Sequence, residues 1–493
     1  MWHLVSFAVS VLSLSLWFYF QDRRQGNVFF RTLFVVSFSL FLVSTFFESA
    51  SWANKIKWLV QDSILLAAIG AFLGVLRAWK ILFWSALAVS LFLVFTKWRT
   101  PEATTILLSS DGEWLMQLQS DATLERIQND FPALDFKPAF TPKDTSSSLN
   151  TWWVVNIPSL YFKNLEKLKE KIAQYPDVVA IEENEVILAT PLLKANTQYT
   201  NRKFTVNDPG LDKAWGFEAM EVDRLYNFLK NNDLLPQKKA RIAILDTGVD
   251  ALHEDLRGNY YSINAKYDTD FNGHGTHCAG IAAAVTNNGL GIASYALDNN
   301  FVEVTSIKVL ANFGGGTQET IIDGMIEAAD QGADVISMSL GARTNDTRQN
   351  AYQQAVQYCN QKGAIVIVSA GNSNTNAKWF APANTPGVIA VSAVDIRLNK
   401  ANFSNFVSDL QMKVAAPGVD IYSTTPKNTY STFSGTSMAA PYVAGLVGLL
   451  KSLNPDLTTN QVYQILNRTG KNTSDTKATG KLIHPLQAIQ ALD

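Results

Sequence analysis

Phe433-Ser434-Gly435-Thr436-Ser437-Met438-Ala439-Ala440-Pro441, continued by Val443-Ala444-Gly445, is the stretch whose reading decides the C-terminal fold. Small residues lead into a serine, and an apolar helical pattern then runs through Leu446, Val447, Leu449 and Leu450. The pattern predicts a serine at a helix N-terminus, where unpaired backbone N–H groups and the positive end of the helix dipole favour negative charge beside its oxygen. Small neighbours let another backbone approach closely. Taken alone, the stretch also reads as an ordinary capped turn.

The flanking sequence, from about Asn207 onward, alternates between strand and helix. Apolar strand-like runs fall at Ala240–Leu245, Val302–Val309, Val335–Ser339, Ala364–Val368, Val388–Ala393 and Met412–Ala415. Helical runs lie between them, notably at Thr320–Gln331, Gln349–Lys362 and Ser437–Leu453. This alternation predicts an α/β domain over 207–493, a mostly parallel sheet with helices on both faces. Ligands of such sheets bind beyond the carboxyl ends of the strands, and the candidate chemical groups lie there.

Asp246 ends the strand Arg241-Ile242-Ala243-Ile244-Leu245 and precedes Thr247-Gly248. His274 stands in Asn272-Gly273-His274-Gly275-Thr276-His277-Cys278-Ala279-Gly280, ahead of a small apolar helix. His274 and His277, three apart, also have metal-ligand spacing, but no third ligand falls nearby in sequence. Nucleophilic catalysis needs a hydroxyl, a base to take its proton and an acid to hold that base. Asp246, His274 and Ser437 supply the three. Their order and flanks (Asp-Thr-Gly, His-Gly-Thr-His, Gly-Thr-Ser-Met-Ala) resemble the subtilisin-like serine proteases, the subtilases. Cys278 after the second histidine is similar to the proteinase K-like branch, where the thiol is a packed small residue and not a nucleophile.

The resemblance carries further implications. Ser369-Ala370-Gly371-Asn372 resembles the family's oxyanion segment, with Asn372 and the Ser437 backbone N–H as donors. Ser339-Leu340-Gly341, with Gly371, resembles the backbone that pairs with a substrate chain as an added strand. Pro382 resembles a cis-proline near the specificity pocket. Asp255 and Asn288, with Asn287-Asn288-Gly289-Leu290-Gly291, resemble a structural calcium loop of some members, the alternative being a plain surface loop. No cofactor is implied for the chemistry itself.

Upstream, residues 103–191 read as a small α+β unit. The pattern predicts strands at Glu113–Gln119, Leu134–Phe140, Thr151–Ile157 and Val178–Ile187, and helices at Asp121–Asp130 and Asn164–Tyr175. That is the β-α-β-β-α-β order of a ferredoxin-like fold. Its place before a protease-like domain resembles a subtilase inhibitory propeptide, with 192–206 as an exposed linker open to cutting.

Residues 1–99 are the most apolar part. Runs at Leu4–Phe20, Thr32–Phe47, Trp58–Leu76 and Ile81–Phe95 are separated by charges, with Trp52, Trp58, Trp79 and Trp98 near their ends. About four membrane-spanning helices are expected, with Asp62 near one interface. Basic residues divide five (Arg23, Arg24, Arg31, Arg77, Lys80) against four (Lys55, Lys57, Lys97, Arg99), which places the peptidase outside the cytoplasm by a single charge. The whole chain has 493 residues, net charge −2 and two cysteines. Two to four domains are expected, without a disulfide framework or a nucleic-acid partner.

The expectation is therefore an integral membrane protein carrying a serine endopeptidase, with polypeptide substrates, the lipid bilayer and its own propeptide-like unit as partners. A catalytically silent, membrane-bound peptide-binding or signalling protein is the alternative.

Overall fold

The computed structural model describes residues 2–20, 24–46, 112–189, 193–194, 200, 203–344 and 350–492. The chain divides into two compact units, Met1–Leu107 and Leu108–Asp493.

In the first unit, α1 (Trp2–Tyr19) and α2 (Arg24–Phe46) pack together. Ser10, Ser13 and Ser37 meet in the seam, with Ser10 Oγ donating to Ser37 Oγ at 3.1 Å. Val28, Phe29, Val35, Val36 and Leu40 of α2 face outward. Among the described residues no helix is long and apolar enough to cross a membrane. The spans expected at 4–20 and 32–47 are therefore not supported by α1 and α2. Four serines interrupt α1, and α2 opens on Arg24-Gln25-Gly26-Asn27. The spans expected at 58–76 and 81–95, with Asp62, lie outside the described residues.

The second unit begins with the α+β segment. Strands β1 (Glu113–Leu118), β2 (Asp135–Pro138), β3 (Trp152–Asn156) and β4 (Val178–Glu183) form one antiparallel sheet in the order β2-β3-β1-β4. Side chains alternate across it, as strand geometry requires. Trp114, Met116 and Val155 pack with helices α3 (Asp121–Asp130) and α4 (Leu165–Ile172). Leu115, Trp152 and Val154 face the other way and join a core of the α/β domain. The strand expected over 178–187 stops at Glu183. There buried Asn184 donates from Nδ2 to Glu113 Oε2 at 2.9 Å and accepts Glu319 N at 2.9 Å, redirecting the chain. The next strand, β5 (Val186–Leu188), leaves its own sheet.

The α/β domain is a seven-stranded, wholly parallel sheet. Its strands are β7 (Ala240–Asp246), β8 (Val302–Lys308), β10 (Val335–Met338), β12 (Ile365–Ser369), β14 (Ile389–Val394), β15 (Lys413–Pro417) and β18 (Lys481–Leu482), ordered β18-β15-β14-β12-β10-β7-β8. Ile242 and Ile244 point to one face and Ala243 and Leu245 to the other, so both faces are buried and the strands read as continuous apolar runs. One face carries α5 (His274–Ala283) and α8 (Thr436–Leu453), and the other carries α6 (Gln318–Asp330) and α7 (Asn350–Gln361).

Smaller strands edge this core. They are β6 (Leu193–Lys194), β9 (Gly315–Thr317), the pair β11 (Ala342–Arg343) and β13 (Phe380–Ala381), and the hairpin of β16 (Ile421–Thr425) with β17 (Thr429–Ser434). β5 pairs antiparallel with β9, and β6 with β17. Thr200 N donates to Asp212 O at 2.6 Å. Within the segment expected as an exposed linker, 192–206, β6 thus bonds a strand edge and Thr200 bonds the turn at Asp212, while Lys203 and Thr205 are exposed.

Candidate active site

Asp246 closes β7, and His274 is the first residue of α5, whose N-cap Gly273 has φ +98°. Only a residue without Cβ adopts that turn cheaply. Both side chains are buried, and His274 Nδ1 lies 2.8 Å from each Asp246 carboxylate oxygen. An ionised carboxylate can only accept, so Nδ1 carries the proton and Nε2 is left as the acceptor. Nε2 is buried and has no hydrogen-bond partner. Burial by itself favours the neutral ring, but the charge and hydrogen bond of Asp246, aided by Asp270, outweigh it and raise the His274 pKa above 6.5.

Ser437 is the second residue of α8. Its hydroxyl donates to Ser339 O at 3.2 Å, and no hydrogen bond joins it to His274. Pro441 shapes this corner. Lacking an N–H, it cannot donate to the carbonyl four residues back, which belongs to Ser437. That freed carbonyl accepts instead from Ser339 Oγ at 2.7 Å and Cys278 Sγ at 3.4 Å. A helix irregularity legible in the sequence thus ties together α8, α5 and the end of β10.

Asn372 sits beside this helix start. Its Oδ1 accepts Thr436 N at 2.8 Å and Thr436 Oγ1 at 2.7 Å, which leaves Nδ2 free to donate elsewhere. Gly371 has φ +97°, and its N–H donates to Thr436 Oγ1 at 3.1 Å. Leu340 is buried, and Gly341 forms an antiparallel bridge with Leu188. Ala189 N adds a bond to Gly314 O at 2.5 Å. Pro382 follows a cis peptide bond after Ala381.

His277 is no partner of His274. Its Nε2 donates to Ser431 O at 3.1 Å, its ring lies 4.4 Å from that of Phe433, and burial pushes its pKa down to about 3. Asp246, His274 and Cys278 do bring ligand-type atoms within 4.8 Å of one another. Burial holds the Cys278 thiol well above its ordinary pKa, which disfavours the thiolate that metals and electrophiles need.

The sequence reading missed Asp270. This buried carboxylate accepts Thr247 Oγ1, Gly273 N and Thr276 N at 2.9–3.0 Å, joining the Asp246 loop to the start of α5. Its signal was present, an acid four residues before His274 at a helix start. Asp208, also missed, faces the loop of Asp255 and Asn288 and accepts Asn287 N at 2.8 Å and Asn288 N at 3.1 Å.

The profile of the subtilase family matches residues 237–482. Thermitase of Thermoactinomyces vulgaris is 42% identical over 255 residues, which cover 50% of this chain and 86% of that protein. The chain belongs to the subtilase family. Subtilisin DY of Bacillus licheniformis is 41% identical over 247 residues, 49% of this chain and 87% of that protein. A thermostable alkaline protease of Halalkalibacterium halodurans is 31% identical over 341 residues, 68% of this chain and 84% of that one. Among solved structures, one described as proteases from Pseudoalteromonas arctica is similar, with TM-score 0.51 and 30% identity over 59% of this chain and 100% of that one. This subtilase is a serine-type endopeptidase acting on polypeptides, and the silent-binder alternative falls away.

Asp255, expected as a calcium ligand, is buried in this subtilase, with Oδ1 accepting Asn288 Nδ2 and Oδ2 accepting Ile292 N, both at 2.8 Å. Burial pushes its pKa up to about 7, the two hydrogen bonds pull the other way, and Asp208 and Glu254 add to the rise. A raised carboxyl pKa means that the unfolded chain ionises first. Without added metal, the contribution of Asp255 to stability should therefore fall between about pH 4 and pH 7. Thermal melts of wild type and Asp255→Asn in EDTA should converge toward pH 4 and separate toward pH 7, with wild type losing ground. Parallel curves would show that the carboxyl is not strained.

Proposed function

We propose that Ser437 is the nucleophile of this endopeptidase, His274 its general base, Asp246 the group that orients the imidazole, and Asn372 the side-chain oxyanion donor. The observation carrying the reading is the buried Asp246–His274 bond, which leaves Nε2 unpartnered as the only ring nitrogen able to take a proton. Rotation about the Ser437 Cα–Cβ bond turns the hydroxyl from Ser339 O toward Nε2. Oγ then attacks the scissile carbonyl carbon while its proton passes to Nε2. The oxyanion forms against Asn372 Nδ2 and the Ser437 N–H, preorganised donors worth most where charge develops. The imidazolium, stabilised by Asp246, returns the proton to the leaving amine, and water hydrolyses the acyl-enzyme by the same relay.

We also infer that residues 112–189 act as an intramolecular inhibitor. Supporting this, β5 fills the backbone edges of β9 and Gly341 that an added substrate strand would use. Trp152 Nε1 donates to Gln354 Oε1 at 3.0 Å, and Glu182 accepts Asn350 N at the start of α7 at 2.5 Å. A hard dication is proposed for the Asp208–Asp255–Asn288 loop. Two carboxylates, both raised in pKa by burial, and one amide suit it, with Asn288 turning its oxygen inward. Millimolar Ca²⁺ should then abolish the pH-dependent loss of stability described above.

Membrane attachment through residues 1–99 is a separate proposal. It is supported by their apolar composition and by α1 and α2, which bury serines while turning valine, leucine and phenylalanine outward. The full chain should stay in the pellet through an alkaline carbonate wash and be released by detergent. Recovery in the wash would overturn attachment. The side on which the peptidase lies, proposed as extracytoplasmic, is read by a reporter fused after Arg99.

Two predictions bear on the chemistry. Ser437→Ala should abolish casein cleavage and fluorophosphonate labelling and should remain at full length, whereas self-processing should leave the active wild-type form shorter. Retained labelling would refute the nucleophile, and equal sizes would refute self-processing. Because protonated His274 cannot accept a proton, kcat/KM should rise with pH through a midpoint above 6.5. Asp246→Asn should lower that midpoint and reduce kcat by about 10⁴-fold. A wild-type midpoint below 6.5 would contradict the assignment.

A further inference from the structure

Asn405 lies outside every motif quoted above, 32 positions beyond Ser373, yet its side chain is fully buried behind the loop that presents Asn372. Its Oδ1 accepts Ser373 N and Thr375 N, each at 3.0 Å. Its Nδ2 donates to Ala370 O at 2.8 Å, and its own backbone N–H donates to Gly371 O at 2.8 Å. These four bonds take the backbone on both sides of Asn372 and spare Asn372 itself. The amide orientation is forced, because a flipped group would set its NH₂ against two N–H donors. Gly371 is matched to this packing, since a Cβ there would lie 2.5 Å from Asn405 Nδ2. The loop strand beyond is held as well, with Phe406 N donating to Thr375 O and Ala377 N to Phe406 O, both at 2.9 Å.

We propose that Asn405 is a positioning residue for the oxyanion hole, acting wholly through Asn372. Thr436 holds the Asn372 side chain from the front by its Oδ1, and Asn405 holds the backbone beneath it from behind. An oxyanion donor contributes only when it is already aimed at the developing charge, and a displacement well under 1 Å is enough to weaken it. An alanine at 405 leaves three loop groups (Ser373 N, Thr375 N and the buried Ala370 O) without their partner, so the loop relaxes to satisfy them and Nδ2 moves off target. Substrate pairing on β9 and Gly341 is made elsewhere, and Gly371, the one substrate-pairing candidate in this loop, keeps its bond from the backbone N–H of residue 405 in the alanine variant. The loss therefore falls on kcat and leaves KM alone.

This inference rests on the protease reading, and the experiment separates the two. Asn405→Ala, Asn405→Ser, Asn372→Ala and the 405/372 double alanine variant are made in the full chain and activated alike. Each is assayed on a peptide p-nitroanilide, with the melting temperature measured alongside. Asn372→Ala should cost about 10²–10³-fold in kcat. Asn405→Ala should cost roughly tenfold in kcat with KM within about twofold, and the smaller hydroxyl of Asn405→Ser should recover part of that loss. In the double variant the loss should be no greater than with Asn372→Ala alone. An equal further loss in the Asn372→Ala background, or a loss expressed in KM, would overturn the proposal. If Asn405→Ala fails to fold, the same cycle run with Asn405→Ser decides it. An Asn372→Ala variant with full activity would instead refute the oxyanion assignment.

Discussion

One buried hydrogen bond, from His274 Nδ1 to the Asp246 carboxylate, is the constraint on which the rest of the site depends. Taking a carboxylate and an imidazole out of water is costly unless each satisfies the other. The protein meets that cost by placing Asp246 at the end of a sheet strand and His274 at the first position of a helix, so neither backbone can drift. Asp270 then fastens the two segments to each other through Thr247, Gly273 and Thr276. The result is an imidazole with one tautomer and one open nitrogen.

Proline 441 answers a different need. A serine at a helix start gains the field of the helix, yet the helix would ordinarily consume its carbonyl within a turn. With the N–H at 441 missing, the Ser437 carbonyl is shared with Ser339 and Cys278, and three separate elements converge on one residue. The same economy of groups appears at Asn372, where Thr436 uses both its backbone N–H and its hydroxyl to orient one amide.

The α+β segment joins the α/β domain through backbone hydrogen bonds, β5 pairing with β9 and Leu188 bridging Gly341. Its sheet buries apolar side chains on both faces, one against its own helices and one against the α/β domain. At Asn184 the chain abandons its sheet because the β9 edge offers an equivalent set of hydrogen bonds. Periodicity over 178–187 reads as one strand, since the side-chain alternation continues while the hydrogen-bonding partner changes.

Local chemistry was enough to place six of the seven parallel strands of the α/β sheet, its main helices and the Asp246–His274 pair that the structure brings together. Apolar runs bounded by glycine, a proline after the serine and an acid at a strand end are properties of single segments. β18 was missed because two residues cannot show a period, and Asn405 because its role exists only once residues 370–375 fold around it. The reading of α1 and α2 as spans came from composition, which counts apolar residues but not the length of an uninterrupted apolar run. Whether the Ser437 hydroxyl faces Ser339 or His274, which way the Asn372 amide points, and where the chain leaves its own sheet were likewise decided by the tertiary structure alone. Each is a choice among hydrogen-bond partners from some 64 to more than 100 positions away along the chain, and such choices are made by three-dimensional proximity, which no local pattern encodes.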